Sequence, residues 1–387
     1  MMKTENLTLC AFALPLLTAV ASAQESAPAR SPITAALQPF VDSHALAGAV
    51  TLVTSKDATL DLQAVGFADV SARKPMRTNA LFWIASQTKA MTAAALMMLA
   101  DEGRLKLDDP VEKYLPEFHG QWLAAEQDDA HLLLRKPQHP ITVRNILSHT
   151  SGLPFASSIE HPTLDGLPLR EAVLSYALSP LQFEPGSKYQ YSNEGINTAG
   201  RLIEVLSGMA YEAFLQKRLL DPLGMKDTTF WPNKSQLARL AKAYKPNAAG
   251  DGLEETTLTQ LHYPLDDRKN RYPMPAGGLF STAQDVGRFC QMLLNGGVWE
   301  GKRLLSEAAV EQMTRKQTGD AVSEGYGLGL SVNGDSYGHG GAYSTNMTVD
   351  RKHGLITVFL VQHAGFPKNG DQSGSAFRDA AEKQFGK

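Results

Sequence analysis

The chain has 387 residues, of which 43% are hydrophobic and 20% charged, and its formal net charge at pH 7 is -3. This composition is that of a folded globular protein and excludes a largely disordered chain. The near-neutral charge gives no electrostatic footprint for nucleic acid or an anionic membrane surface, so neither is expected as a partner. The length predicts either one large domain with an insertion or two domains.

The amino-terminal segment has the parts of a secretory signal peptide. A short polar region precedes an apolar run, and Ala21-Ser22-Ala23 forms a small-x-small cleavage site. We therefore predict a signal peptide over residues 1–23, cut after Ala23, and a disordered leader over residues 24–32. The mature protein is then periplasmic or secreted, and nothing after the cut is apolar for long enough to predict a membrane span.

Cys290 is the one cysteine that remains after this cleavage, so the mature chain has no intramolecular disulfide. Its setting in "VGRFCQMLL" predicts a buried, small hydrophobic side chain.

The predicted strands lie towards the two ends of the chain. Two β-rich runs at 47–55 and 58–70 form a predicted hairpin, and alternating runs near the carboxyl end predict further strands. Helical spacing flanks these runs and ends one helix at Gly103. The later strands are predicted at 326–333, 335–341, 345–352 and 354–363, and the flanking helices at 33–44, 84–102, 282–294 and 375–385.

The middle of the chain is predicted to be helical, with loops rich in proline and glycine. Its helices are predicted at 142–149, 170–178, 194–208 and 211–220. The sequence therefore predicts an α+β fold, an α/β sandwich whose antiparallel sheet is built from both chain ends and flanked by helices. Residues 33–115 and 276–387 would form the α/β domain, and residues 116–275 an all-α or mostly α-helical insertion domain.

Ser86 and Lys89 stand three residues apart at the start of a predicted apolar helix, within "FWIASQTKAM". Residues at i and i+3 share a helix face, so the lysine nitrogen can reach the serine oxygen. The helix dipole and partial burial would both lower the lysine pKa, which suits a partner for a serine nucleophile. For this motif alone, a capping Ser86 and a solvent-exposed Lys89 remain the commoner interpretation.

Tyr191 and Asn193 follow a Pro-Gly turn in "EPGSKYQYSNEG". A tyrosine can relay a proton if nearby cations favour its phenolate, and an asparagine amide can hold a substrate or a lysine. The alternative is that Asn193 caps the following helix and Tyr191 packs in the core.

Residues 337–344 read "YGHGGAYS" on a predicted strand. Gly340 and Gly341 would let a substrate approach the backbone and pair along the strand edge. The Ala342 and Ser86 amides could stabilise an oxyanion, and His339 could donate a hydrogen bond into the cleft. The alternative is a β-bulge that carries a surface histidine.

In this order, the three motifs resemble the serine β-lactamase and penicillin-binding-protein superfamily, more narrowly its class C β-lactamase-like, family VIII esterase-like branch. The stretches "ILSHTSGLP" (146–154) and "PAGGLFSTAQDVGRF" (275–289) resemble further signatures of that family. The resemblance runs from about Ile33 to Phe385 and implies a β-lactamase/transpeptidase-like fold.

The resemblance also implies roles for the site residues. Ser86 would be the acylated nucleophile, Lys89 and Tyr191 the proton-transfer pair, and Asn193 would position the substrate or the lysine. Ala342 would hold the place of the second oxyanion donor. His339 stands where the family's Lys-Thr-Gly triplet has its lysine, and a largely neutral histidine attracts a substrate carboxylate less strongly.

The sequence therefore predicts a secreted serine hydrolase that forms an acyl-enzyme and acts first of all as a carboxylesterase on small esters. The alternatives are a β-lactamase, a D,D-peptidase or a D-amino-acid amidase of the same fold, and a non-catalytic penicillin-binding-like receptor. The chain has no Gly-x-Ser-x-Gly, no His-Glu-x-x-His and no Cys/His cluster, so we expect neither a metal nor an organic cofactor. The oligomeric state stays open.

Overall fold

A computed structural model describes residues 31–320 and 322–386. The predicted signal peptide, its cleavage site and nearly all of the predicted leader lie outside these residues. The first helix begins at Pro32, which is the last residue of that leader, because proline is well suited to the first turn of a helix.

The regular elements follow one another from a first helix to a last helix. The strands are β1 (Gly48–Ser55), β2 (Thr59–Asp69), β3 (Lys74–Pro75), β4 (Phe82–Trp83), β5 (Leu123–Gln127), β6 (Leu132–Arg135), β7 (Ala243–Pro246), β8 (Leu253–Thr256), β9 (Phe280–Ser281), β10 (Val298–Trp299), β11 (Lys302–Arg303), β12 (Ser331–Asn333), β13 (Ser336–Gly340), β14 (Asn346–Asp350) and β15 (Leu355–Leu360). The α-helices are α1 (Pro32–Asp42), α2 (Thr88–Asp101), α3 (Val143–Leu147), α4 (Leu169–Leu178), α5 (Asn193–Ser207), α6 (Tyr211–Leu215), α7 (Lys234–Leu237), α8 (Ala283–Leu294), α9 (Glu307–Thr314) and α10 (Ser373–Phe385).

A seven-stranded sheet joins the two ends of the chain. Its order is β12-β13-β14-β15-β1-β2-β3, and neighbouring strands are antiparallel. The late strand β15 lies beside the early strand β1, with Val50 opposite Leu360. The predicted antiparallel sheet from both chain ends is confirmed.

Helices cover both faces of this sheet. Successive residues of a strand point to opposite faces, so Leu52 joins the main core while Val53 packs in a second cluster with α1 and α10. On the other face, α8 packs against β1, β14 and β15. Burial on both faces explains why β1 and β15 are nearly continuous apolar runs.

Two hairpins interrupt the predicted helical segment between residues 116 and 275. β5 pairs with β6, and β7 pairs with β8, whereas α3 to α7 occupy most of the remaining regular structure. The run Leu132–Arg135 is wholly exposed. A strand without a buried face lacks the hydrophobic alternation that makes strands visible in a sequence, so these hairpins were not predicted.

The glycine-rich run 326–333 is a strand only from Ser331 onward. Gly329 has a φ of +70°, and a Cβ atom there would stand 2.6 Å from the Lys89 carbonyl oxygen. This glycine therefore lets the chain turn against helix α2, and its expected role in sheet packing is wrong.

Cys290 packs inside α8, and its Sγ lies 3.7 Å from Met347 Sδ. Burial raises the pKa of the thiol to about 12. The predicted buried, small hydrophobic side chain is confirmed. In the described part of the chain, the helices are too short or too polar to cross a membrane.

Candidate active site

Ser86 lies in a short turn between strand β4 and helix α2. β4 is anchored because it pairs with β9 and because Trp83 Nε1 donates to the Gly277 carbonyl oxygen at 2.6 Å. A 3₁₀ turn over Ala85–Gln87 then leads into the helix, and Ala85 has a φ of +46°. This left-handed residue makes the sharp bend that leaves Ser86 half-buried at the mouth of a cleft.

Lys89 is fully buried one helical turn further on. Its Nζ lies 3.1 Å from Ser86 Oγ, 2.7 Å from Asn193 Oδ1 and 2.6 Å from the Ala276 carbonyl oxygen. Burial holds the pKa of this lysine well below its ordinary value. The direction of the predicted pKa shift is confirmed, and burial is complete rather than partial.

Asn193 begins helix α5 without capping it. The N-cap is Ser192, whose Oγ accepts the Gly195 N–H at 3.1 Å. The Asn193 side chain is thereby free to accept a hydrogen bond from Lys89. The capping alternative for Asn193 is wrong.

Tyr191 lies against Lys89, whose Nζ is 4.7 Å from the centre of the phenol ring. Burial raises the pKa of the phenol, and the neighbouring Ser86 hydroxyl offsets only part of this rise. The phenolate that would accept a proton is therefore disfavoured. Lys89, Tyr191 and Asn193 are called the helix wall of the cleft below.

The opposite side of the cleft is formed by His339 to Ala342, called the strand wall below. The Gly341 N–H donates to the Thr345 carbonyl oxygen at 2.8 Å, and a Cβ atom on Gly341 would lie 2.2 Å from Thr345 Oγ1. Glycine is therefore required at this position. Ala342 follows it and is exposed.

His339 does not offer the free donor that the sequence predicts. Its Nδ1 lies 2.6 Å from the Gly340 carbonyl oxygen, and its Nε2 lies 2.9 Å from the Tyr326 hydroxyl. A carbonyl only accepts, so we assign the proton to Nδ1, and Nε2 accepts from Tyr326. Burial, aided by the charge of Lys89, lowers the pKa of His339 to about 4.

The cleft between the two walls has a volume of about 340 Å³. Among the described residues that line it, none is Lys, Arg, Asp or Glu. Its apolar and amide side chains, which the sequence did not identify, are Trp83, Phe155, Leu164, Gln260 and Met274. Phe155 and Leu164 belong to a loop, and the sequence contains no signal for where that loop folds.

A comparison with known proteins assigns this fold and site to a class. The beta-lactamase family model matches residues 33–381. Protein Rv1367c of Mycobacterium tuberculosis is 32% identical over 366 residues, which cover 85% of this chain and 89% of that protein. Esterase EstB of Burkholderia gladioli is 29% identical over 360 residues, which cover 82% of this chain and 86% of that one.

Among solved structures, EstCE1, a hydrolase with promiscuous acyltransferase activity, superposes with a TM-score of 0.75. The match has 24% sequence identity and covers 90% of this chain and 97% of that chain. The fold is therefore β-lactamase/transpeptidase-like, as predicted. The chain belongs to the beta-lactamase family, within the serine β-lactamase and penicillin-binding-protein superfamily, and is a serine hydrolase of the acyl-enzyme type.

Proposed function

We propose that this protein is a carboxylesterase for small, uncharged esters, with Ser86 as its nucleophile. The observation that supports this choice is the lack of a cationic side chain among the described residues of the cleft lining. A substrate carboxylate would enter a partly apolar cleft without a charged partner, which is costly. The pKa of His339, lowered to about 4, leaves that residue uncharged at neutral pH.

The contacts of Lys89 suit a neutral amine acting as the base. A neutral amine has two hydrogens and one lone pair. Asn193 Oδ1 and the Ala276 carbonyl can accept the two hydrogens, which leaves the lone pair for the Ser86 hydroxyl. Lys89 then takes the Ser86 proton as Oγ attacks the ester carbonyl carbon.

The remaining steps use the strand wall and Tyr191. The Ser86 and Ala342 amides border the cleft, and neither has a backbone acceptor in the described loops and turns, so both are available to an oxyanion. The Tyr191 phenol, kept neutral by its raised pKa, gives a proton to the departing alkoxide and regains one from Lys89. Water then attacks the acyl-Ser86 ester and releases the carboxylic acid and free Ser86.

A peptide-like amide is the second candidate substrate, and one feature of the sheet favours it. β12 pairs with β13 only as far as Gly338. Beyond this point, the β12 side of His339 and Gly340 is open to an extended substrate backbone. This candidate includes β-lactams and D-amino-acid peptides or amides.

A matched pair of esters tests the choice. We expect p-nitrophenyl butyrate to be hydrolysed with a kcat/KM at least about tenfold above that of p-nitrophenyl hemisuccinate, which carries a carboxylate on a similar acyl chain. Turnover of a penicillin and of a D-alanyl-D-alanine peptide is measured in parallel. Equal rates for the two esters, or faster cleavage of either amide, would reject the esterase proposal in favour of the second candidate.

Export to the periplasm or medium is part of the proposal and rests on the sequence of residues 1–23. Expression of the full chain in a bacterium, followed by mass measurement of the purified protein, should give a chain that begins at Gln24. A cytoplasmic protein that retains these residues would contradict export without affecting the proposed chemistry.

A further inference from the structure

His149 is a buried residue of the 146–154 segment to which the reaction described above gives no part. Its side chain has 0% exposure, and its backbone φ is +60°. This left-handed conformation is uncommon for residues other than glycine, although histidine, asparagine and aspartate adopt it more often than most. Such a backbone outlier next to an active site calls for a functional explanation.

His149 contacts the segment that carries Tyr191 on both sides of that residue. The Gln190 N–H donates to the His149 carbonyl oxygen at 2.8 Å, and the Ser192 N–H donates to His149 Nδ1 at 3.1 Å. The imidazole ring centre lies 4.4 Å from the centre of the Tyr191 ring. One residue thus contacts the backbone before Tyr191, its ring, and the backbone after it.

His149 is uncharged in this position. Since Nδ1 accepts a hydrogen bond, we assign the ring proton to Nε2, which has no hydrogen-bond partner among the described residues. The Tyr189 ring stands 5.9 Å away at 84°, and the Tyr326 ring lies 4.6 Å away. Burial, followed by the charges of Lys89 and His339, holds the pKa of His149 well below its ordinary value.

We propose that His149 is a positioning residue for acyl transfer, which fixes the Tyr191 ring against Lys89 and Ser86 without exchanging protons itself. This inference rests on the proposed function, because fixing Tyr191 affects the rate only if Tyr191 takes part in acylation. A misplacement of about 1 Å near the reacting atoms can cost on the order of 10² in rate.

The test is a double-mutant cycle that uses His149→Asn and Tyr191→Phe. Asparagine tolerates a positive φ and keeps a possible acceptor for the Ser192 N–H, but it removes the ring that packs on Tyr191. The readout is the pre-steady-state burst of nitrophenolate from p-nitrophenyl butyrate. We expect His149→Asn alone to slow acylation on the order of tenfold, and less than about twofold in the Tyr191→Phe background.

His363→Asn is the matched control. His363 is also 0% exposed, and its Nε2 accepts the Ala47 N–H at 3.1 Å, so it resembles His149 in burial and bonding. Burial lowers the pKa of His363 to about 4. Any slowing by His363→Asn should be the same in the wild-type and Tyr191→Phe backgrounds, as for a residue that affects stability alone.

Two further measurements keep the inference open to refutation. A second variant, His149→Phe, retains a ring and removes the acceptor; it too should slow acylation only when Tyr191 is present. The pH profile of acylation should keep its shape in both His149 variants, because His149 exchanges no proton. A lost limb in that profile, equal slowing by His149→Asn in both backgrounds, or no slowing in either folded variant would overturn the inference.

Failure of the underlying proposal looks different from failure of this inference. If Tyr191→Phe alone leaves acylation unchanged, the proposed role of Tyr191 is wrong and the positioning role falls with it. If Tyr191→Phe slows acylation and the His149 variants do not, only the positioning role is wrong.

Discussion

The two walls of the cleft differ in how they treat charge. On the helix wall, burial shifts the pKa of Lys89 downward and that of Tyr191 upward. On the strand wall, His339 directs both ring nitrogens to protein partners and is followed by two glycines and an exposed alanine. The contrast suggests that proton transfer and substrate preference can be altered separately, one wall at a time.

Replacing the lysine of the helix wall should have the largest effect. Lys89→Met keeps much of the side-chain volume but removes the base, so we expect kcat for p-nitrophenyl butyrate to fall by about 10² or more. The neutral amine is the reactive form, so wild-type acylation should rise with pH through the lowered pKa of Lys89 and then level off. Stopped-flow acylation across pH checks both points.

Lys56→Met is the control for that experiment, because the Lys56 side chain is 64% exposed on the β1–β2 turn. It should leave the rate and its pH profile unchanged. A Lys89→Met enzyme that retains the wild-type rise with pH would assign the base to another residue and remove the proposed distinction between the walls.

Glu194, next to Asn193 on helix α5, should have a smaller effect, and on stability rather than chemistry. Its side chain is 0% exposed, and neither carboxyl oxygen has a hydrogen-bond partner among the described residues. Burial, and then the charge of Glu160, raises its pKa from 4.5 to about 9. The folded state thus keeps a proton that the unfolded state releases, and stability is lost as pH rises from 4.5 to about 9.

Glu194→Gln removes this dependence. We expect the free energy of unfolding to exceed that of the wild type by about 2 kcal/mol at pH 6 and by very little at pH 4. Urea unfolding at the two pH values measures the difference. A gain of equal size at both pH values would show that ionisation of Glu194 is not its cause.

The smallest expected effect lies on the strand wall. Tyr326→Phe removes the hydroxyl that donates to His339 Nε2, and so raises the His339 pKa from about 4, because that hydrogen bond stabilises the neutral ring. At pH 5.5 the hemisuccinate ester should gain on the butyrate ester by less than about tenfold, as the loss of one hydrogen bond allows. An unchanged ratio of the two kcat/KM values would mean that His339 has no part in selecting uncharged esters.

Local chemistry could be predicted from the sequence more completely than long-range chemistry. The Ser86–Lys89 contact follows from helical spacing, and the sheet follows from apolar runs at both chain ends. By contrast, Lys89 bonds the Ala276 carbonyl oxygen 187 positions away, and no spacing rule relates such residues. Its complete burial was missed for the same reason.

The error over His339 has a similar origin. Its Nε2 partner is Tyr326, which lies outside the strand on a turn that the sequence presents as one continuous strand. The glycines that make this turn looked like sheet packing, because close approach to a helix and close approach to a strand both need a small residue. His149 was visible in the sequence, but nothing there indicates that its ring faces Tyr191.

The most direct measurement is the mass of the intact protein after a brief pulse of p-nitrophenyl butyrate, followed by peptide mapping. The account predicts one butyryl group on the peptide that contains Ser86, together with rapid release of nitrophenol. It also predicts neither adduct nor turnover in a folded Ser86→Ala variant. A butyryl group on another residue, or Ser86→Ala turnover near that of the wild type, would contradict Ser86 as the acylated nucleophile.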